Sequence, residues 1–365
     1  MKKMLNRKLA ISILAAILAC FLVACGSSTS SAPSAGNSGS TPGSVPASVP
    51  SNDKVYTFKW AHSSSTNDRL ALATERMIKE LSEASNGRIV LEHYPASQLG
   101  AEREILEGIV LGTVDFGVIS SGVVTNFSKG IYVTSLPYQI DQREIGWKVY
   151  DGEFGQMLGK KTEEDVGWKF LGWAENSLRM FSNSKREIKV PSDLKGLKIR
   201  TQENDIHMKI VNDLGGSATP VAFSELYTAL QQGTVDGQEN GIALTYSMGF
   251  NEIVKYMTNL PHIYDPYIVV MSNDAWNSLP ADLQPLVQEY AAKFCQYERE
   301  LNAQNDAEYL ETMKKETGLQ VYTPTEDQKK LFIEATAGVE SMIREKVGNE
   351  LVDAYLKAVK EAKAK

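Results

Sequence analysis

The run from Lys195 to Asn240, KGLKIR…GGSATPVAFSELYTALQQGTVDGQEN, ends one apolar strand on an arginine and another on an asparagine. Arg200 closes the first strand, Asn240 closes the second, and a helical stretch lies between. An arginine among apolar neighbours is costly, because an unpaired buried charge loses several kcal/mol even after relaxation. Something anionic must therefore meet it. A planar guanidinium fits a carboxylate with two parallel hydrogen bonds, which a point charge cannot do. The residues alone leave two partners open: an acid of the same chain, such as Glu203 or Asp205, or an anion from outside.

Other chemistry is poorly represented. The chain contains no G-x-S-x-G, H-E-x-x-H or C-x-x-C and no glycine loop able to cradle a phosphate. His62, His93, His207 and His262 are scattered without ligand spacing, so no metal site is expected. No cofactor and no enzymatic activity are expected either. Asp115-Phe116-Gly117 spells a kinase tripeptide with nothing else of a kinase around it.

The N-terminus reads as a secretory signal over residues 1–25, with Lys2, Lys3, Arg7 and Lys8 ahead of an apolar core, Leu9 to Val23. Leu22-Val23-Ala24-Cys25 forms a lipobox, which makes Cys25 the expected site of acylation; Ile17-Leu18-Ala19-Cys20 is a weaker match. Gly26 to Asn52 is Ser, Gly, Pro, Ala and Thr with almost no charge, so 26–53 is expected to be a flexible linker. The 365 residues carry 38 Lys and Arg against 45 Asp and Glu, or −7; losing the four leader cations leaves 34 against 45, or −11. An acidic body with no basic stripe gives no reason to expect nucleic acid, and it cannot steer anions by its overall field. Any anion site must be local and preorganised. Cys295 is the thiol left once the leader is processed, so no internal disulfide is expected.

The elements that must hold Arg200 and Asn240 follow from periodicity. Val55 to Ala61 alternates as a strand, Asp68 opens a helix that Asn86-Gly87 ends, and Arg88 to His93 is a second strand. Ala101 to Leu111 is helical and Val114 to Ile119 is a third strand, the order of an α/β lobe with parallel neighbours. The phrase then recurs: Gly112-Thr113-Val114-Asp115 after the first lobe's helix, Gly233-Thr234-Val235-Asp236 after a helix at Ser224 to Gln232. The repetition predicts two similar lobes facing each other. Ligands of open α/β sheets sit beyond the strands' carboxyl ends, which brings Ser120-Ser121 and Gln238-Glu239-Asn240 to one cleft. Ala281 to Glu316 is the longest helical pattern, as one rod of about 50 Å or as two helices. Glu326 to Lys363 is helical and charged, expected on the outside.

These blocks resemble the DctP-type solute-binding proteins of TRAP transporters. The likeness runs from about Phe58 to Ala303 through GRIVLEHYPASQLGAEREILEGIVLGTVD, RMFSNSKREI…PSDLKGLKIR, the Lys195–Asn240 run and NEIVKYMTNLPHIYDP. It implies a two-lobed α/β binding fold of the Venus-flytrap kind with one long helix along both lobes. Lobe I would span 54–176 plus about 266–305, and lobe II 177–265 plus about 306–365. By position, Arg200 matches the family's main carboxylate clamp, Arg179 its second arginine, Phe223 the pocket aromatic and Asn240 the capping asparagine. Residue by residue, Arg179 could instead pair with Glu175 at i−4, Phe223 could be core, and Asn240 could be a turn residue. Gly241 stands where the family usually has proline, which would loosen the loop around Asn240.

The remainder of the ligand would be read by candidates from the other half of the pocket. These are His62 and Asn67 after the first strand, Glu102 at its helix start, Ser120-Ser121 and Trp173. Glu102 would repel a second ligand carboxylate yet accept hydrogen bonds from hydroxyls, and Trp173 could face a sugar ring. Together they tilt the expected ligand from a C4-dicarboxylate to a sugar acid, a hexuronate or aldonate. The resemblance further implies an extracytoplasmic protein, held to the membrane by its lipid, that serves a small and a large membrane subunit. A sensory module that presents its closed lobes to a receptor remains open, and a uronate-cleaving enzyme lacks a visible base and nucleophile.

Overall fold

The computed structural model describes residues 54–364, so the signal, the linker and the lipobox cysteine Cys25 lie outside the described residues. Strand β1 (Tyr56–Ala61) buries Phe58 and Trp60 while Lys59 between them stays exposed. Helix α1 (Arg69–Ala84) starts where the Asp68 carboxylate accepts from the Leu70 N–H at 3.0 Å. Leu70, Ala73, Met77 and Leu81 form its buried stripe, and Asn86 and Gly87, both at positive φ, end it. The chain continues through β2 (Ile89–Tyr94), α2 (Glu102–Val110), β3 (Phe116–Ser120) and the single turn α3 (Ser121–Val124). Helices α4 (Arg143–Asp151) and α5 (Glu153–Val166) lead into the long strand β4 (Lys169–Asn183).

The second lobe repeats the first. Strands β5 (Lys198–Thr201), β6 (Ser217–Pro220) and β7 (Gly237–Asn240) alternate with α6 (Asp205–Asp213) and α7 (Leu226–Gln231). Then come α8 (Ile242–Ser247), β8 (Tyr256–Thr258), β9 (Ile263–Met271), α9 (Asn273–Ser278) and α10 (Gln284–Thr317). The sheet order is β2-β1-β3-β9-β4-β7-β5-β6, with β8 alongside β4 and joined by β10 (Gln320–Tyr322). In the first half β2, β1 and β3 are parallel and β9 runs against β3; in the second half β6, β5 and β7 are parallel and β4 runs against β7. Strand β4 pairs with β9 through Arg179 and with β7 from Met180, so the sheet passes from lobe to lobe at that junction.

The repeated G-T-V-D phrase is one turn built twice. Gly112 and Gly233 take φ values of 72° and 70°, a conformation costly for any residue with a Cβ. The next two N–H groups return to the carbonyl of Gly108 in one lobe and of Ala229 in the other. Each aspartate then binds the neighbouring strand's backbone: Asp115 accepts from Lys59 N–H at 2.7 Å, and Asp236 from Lys198 N–H at 2.9 Å.

Helix α10 is one uninterrupted rod of 34 residues, about 50 Å long. Its buried polar residues tie both lobes together. Glu298 pairs with Arg69 at 2.9 Å, and Asn302 donates to Glu175 on β4 at 2.6 Å. Asp306 pairs with Arg143 of α4 and accepts from the Ala243 N–H of α8 at 2.8 Å. The C-terminal stretch breaks into α11 (Glu326–Ala335), α12 (Gly338–Val347) and α13 (Asn349–Ala364). Helix α13 packs on α4 and α5, and α12 reaches both α6 and the turn at 129–135. Helix α13 is thus what covers α4 and α5, which the sequence left unassigned. Among the described residues no helix is long and apolar enough to cross a membrane.

Candidate functional site

Strand β5 carries Arg200 into the molecule with 1% of its surface exposed. Its Nε donates to the Val221 carbonyl at 2.8 Å, and its Nη1 is buried with no partner. The guanidinium sits 5.9 Å from the Phe223 ring centre. No carboxylate of the chain pairs with it among the described residues. Glu203 instead approaches Arg103 at 3.8 Å, and Asp205 pairs with Lys346 at 2.9 Å. Burial, followed by the repulsion of Arg179, lowers the Arg200 pKa to about 10, so it remains a cation at neutral pH. It opens onto a cavity of about 350 Å³ whose walls include Glu102, Val123, Gln202 and Phe223.

Arg179 has a different environment. It is fully buried on β4, and Glu239 takes its Nε and Nη2 while Asp265 takes Nη1 at 2.8 Å. Its Nη2 also donates to the Glu239 carbonyl. Four of its five N–H groups are thus committed within the chain. Burial would raise the Glu239 pKa, but Arg179 and His207 hold it well below the usual carboxylate range. The Glu175 pairing open in the sequence does not form; Glu175 binds Arg143 at 3.0 Å.

Asp265 is the residue the sequence reading missed. A single acid in the wholly buried strand β9, it accepts from Arg179, from Asn176 at 2.8 Å, and from Ser120 and Ser121 at 2.8 and 2.7 Å. A lone Asp in an apolar strand is the same signal that singled out Arg200, and it stands in the quoted NEIVKYMTNLPHIYDP block. Ser120 also accepts from Gln202 of the facing lobe at 2.7 Å. Asn240 is buried at the end of β7, where its Nδ2 donates to Gln238.

Gly241 does not loosen this loop, contrary to the expectation from the missing proline. A Cβ there would stand 2.3 Å from the Ser177 Cβ, so the start of α8 is packed directly on β4. Glycine is required by close approach.

The remaining candidates divide. Glu102 lines the Arg200 cavity, 7% exposed, with Oε1 accepting from the Ser120 N–H at 3.2 Å. Burial raises its pKa to about 7 against the pull of that N–H and of both arginines. Phe223 lines the same cavity and meets Phe250 edge-on at 5.9 Å. His62 is buried against His93, Nε2 to Nε2 2.8 Å, and burial with that neighbour drops its pKa to about 3. Asn67 is exposed and lies beside Tyr246 and Tyr309, and is not in the wall of the Arg200 cavity. Trp173 is likewise absent from that wall. Its indole donates to the Gly155 carbonyl at 2.9 Å and packs with Tyr150 and Phe170. Among the described residues no cluster of His, Cys, Asp or Glu could hold a metal ion.

A cleft between two α/β lobes with a buried cation at a strand end is built as a site for a small anion. The chain belongs to the DctP family, bacterial extracellular solute-binding protein family 7, whose model matches residues 60–346. A solute-binding protein of Verminephrobacter eiseniae is 34% identical over 80% of this chain and 86% of its own length. The galactonate-bound sugar acid binding protein of Advenella mimigardefordensis superposes with a TM-score of 0.82 at 25% identity, over 85% of this chain and 99% of that one. A TRAP periplasmic solute-binding protein of Sulfurospirillum deleyianum with bound succinate gives 0.79 at 29% identity, over 84% and 99%. The family is a solute-binding transport component, and its extracytoplasmic setting follows from its name.

Proposed function

We propose that this chain captures a sugar acid, such as a hexuronate or aldonate, and delivers it to the small and large membrane subunits of a TRAP transporter. The single observation that carries the reading is the buried Arg200, in direct contact with no carboxylate among the described residues and facing a cavity. A carboxylate there would satisfy Nη1 and give the cation a direct partner in one step, each charge-assisted bond contributing roughly 1.5–3 kcal/mol. Arg179, with one N–H uncommitted, chiefly fixes the floor beneath the ligand. Asn240, whose Nδ2 donates one N–H to Gln238, would offer its second as a neutral donor. The preference for a sugar acid over a C4-dicarboxylate rests on Glu102, since Trp173 lies elsewhere; Phe223 supplies the apolar wall.

Lobes I and II would close on a ligand that touches both, with β4 and β9 as the crossing strands. Cys25 would carry the lipid that keeps the protein at the outer face of the membrane. Titration calorimetry with galactonate or galacturonate tests the site. Arg200→Ala is expected to cost about 3 kcal/mol or more, around a hundredfold in affinity. Arg200→Lys should also bind poorly, because an ammonium cannot form the fork. Wild-type affinity in Arg200→Lys would refute the two-pronged contact, and turnover of the ligand would refute a pure binding role.

A further inference from the structure

Resting on that reading, we propose that Glu102 determines which organic acids the Arg200 cavity accepts: hydroxy monocarboxylates in either of its protonation states, dicarboxylates only when it is protonated. The geometry comes first. Glu102 and Arg200 wall the same cavity, so a carboxylate on Arg200 brings the rest of the ligand to Glu102. Its Oε1 is held by the Ser120 N–H, and its Oε2 makes no hydrogen bond among the described residues. One oxygen is fixed and the other is free to meet a ligand group.

The charges around it set the selectivity. From β4 comes Arg179, from β5 Arg200, and from β9 Asp265 and the buried phenol of Tyr267. Beyond β5, Glu203 stands against Arg103, while Glu104 and Glu107 share the α2 end of the cavity wall. Strand β3 and helix α3, which pack on α2, have no titratable side chain. In the buried set, Arg179 and Arg200 are balanced by Glu239 and Asp265 before Glu102 or any ligand is counted. An ionised Glu102 makes this set −1, and each ligand carboxylate makes it more negative.

A ligand hydroxyl suits both states of Glu102, donating to the carboxylate or accepting from the acid. A second ligand carboxylate does not. It is repelled by the carboxylate at close range and gains a strong hydrogen bond only from the protonated form. Burial brings this switch close to neutral pH, at about 7.

Calorimetric titration of the full-length protein with galactonate and with succinate, at about pH 6.5 and about pH 8.5, tests the proposal; both probes stay largely ionised at both values. Succinate affinity should fall about tenfold or more across that range, and galactonate affinity by less than about threefold. Glu102→Gln, a permanent donor of nearly the same shape, should bind succinate equally at both pH values and at least as tightly as the wild type at the lower one. A pH-independent succinate affinity in the wild type overturns the proposal without needing the variant. A Glu102→Gln protein that keeps the wild-type pH dependence overturns it too. Failure of the wild type to bind either acid would instead sink the sugar-acid reading beneath it.

Discussion

At the scale of single residues, the two arginines of the site are opposites. Arg200 is a buried cation that no carboxylate touches among the described residues, so the nearby acids, all held by other groups, offset its desolvation only in part. Arg200→Met should therefore stabilise the ligand-free protein by about 1–3 kcal/mol while abolishing the ligand-induced rise in melting temperature. A lower melting point for Arg200→Met, measured by scanning calorimetry without ligand, would show that Arg200 is already paired. Arg179 reverses the sign. Glu239 and Asp265 lean on it from two strands, and Arg179→Met leaves both carboxylates buried without their cation. That change should cost about 3–5 kcal/mol, seen as a matching loss in a urea titration. Equal effects of the two substitutions would contradict this division of roles.

At the scale of elements, Gly241 shows what packing adds to a family comparison. Its backbone, φ −77° and ψ 168°, suits a proline, but the Cβ would run into Ser177. Gly241→Pro should destabilise by about 1–3 kcal/mol, and adding Ser177→Gly should restore most of the loss. Additive losses in the double mutant would mean that the clash is not the cause. The same contrast explains what the sequence made legible. Arg200 could be found through the family resemblance of the Lys195–Asn240 run, since its own strand has Ile199 as its one apolar residue, and the lobes because G-T-V-D turns need glycine at positive φ twice. The partners of Arg179 could not, since Glu239 and Asp265 meet it only once β7 and β9 flank β4 in register. The side that Trp173 takes is also beyond the sequence's reach. Alternation along β4 is disturbed by register shifts at Phe170–Gly172 and Glu175–Ser177, so the side a residue takes cannot be counted from the strand's start. Helix α10 was legible, through the resemblance, as one long helix along both lobes, but the ties it makes were not, because Glu298, Asn302 and Asp306 find their partners on other elements.

At the scale of the whole molecule, the crevice is bridged by a few polar contacts around a glycine. Gln202 donates to Ser120 at 2.7 Å, Asn204 to the Gly122 carbonyl at 3.1 Å, and Asn126 to the Glu203 carbonyl at 3.1 Å. Gly122 permits all of this, since a Cβ there would stand 1.8 Å from the Gln202 Oε1 and 2.9 Å from its Cδ. A single alanine could be met by swinging the amide aside, but a branched side chain also displaces the bonds that amide makes. Gly122→Val should therefore hold the lobes apart without disturbing either core. The ligand can close the crevice only by its preference for the closed form, so a wedge that raises the closed state by about 1.4 kcal/mol or more lowers affinity about tenfold or more. In small-angle scattering the ligand-saturated wild type should compact relative to the free protein, whereas Gly122→Val should keep the same radius of gyration with and without ligand. Its ligand-free melting temperature should stay within a few degrees of the wild type, since the wedge touches the interlobe face alone. Wild-type affinity and compaction in Gly122→Val would mean that the two lobes grip the ligand without meeting at Gly122 and Gln202.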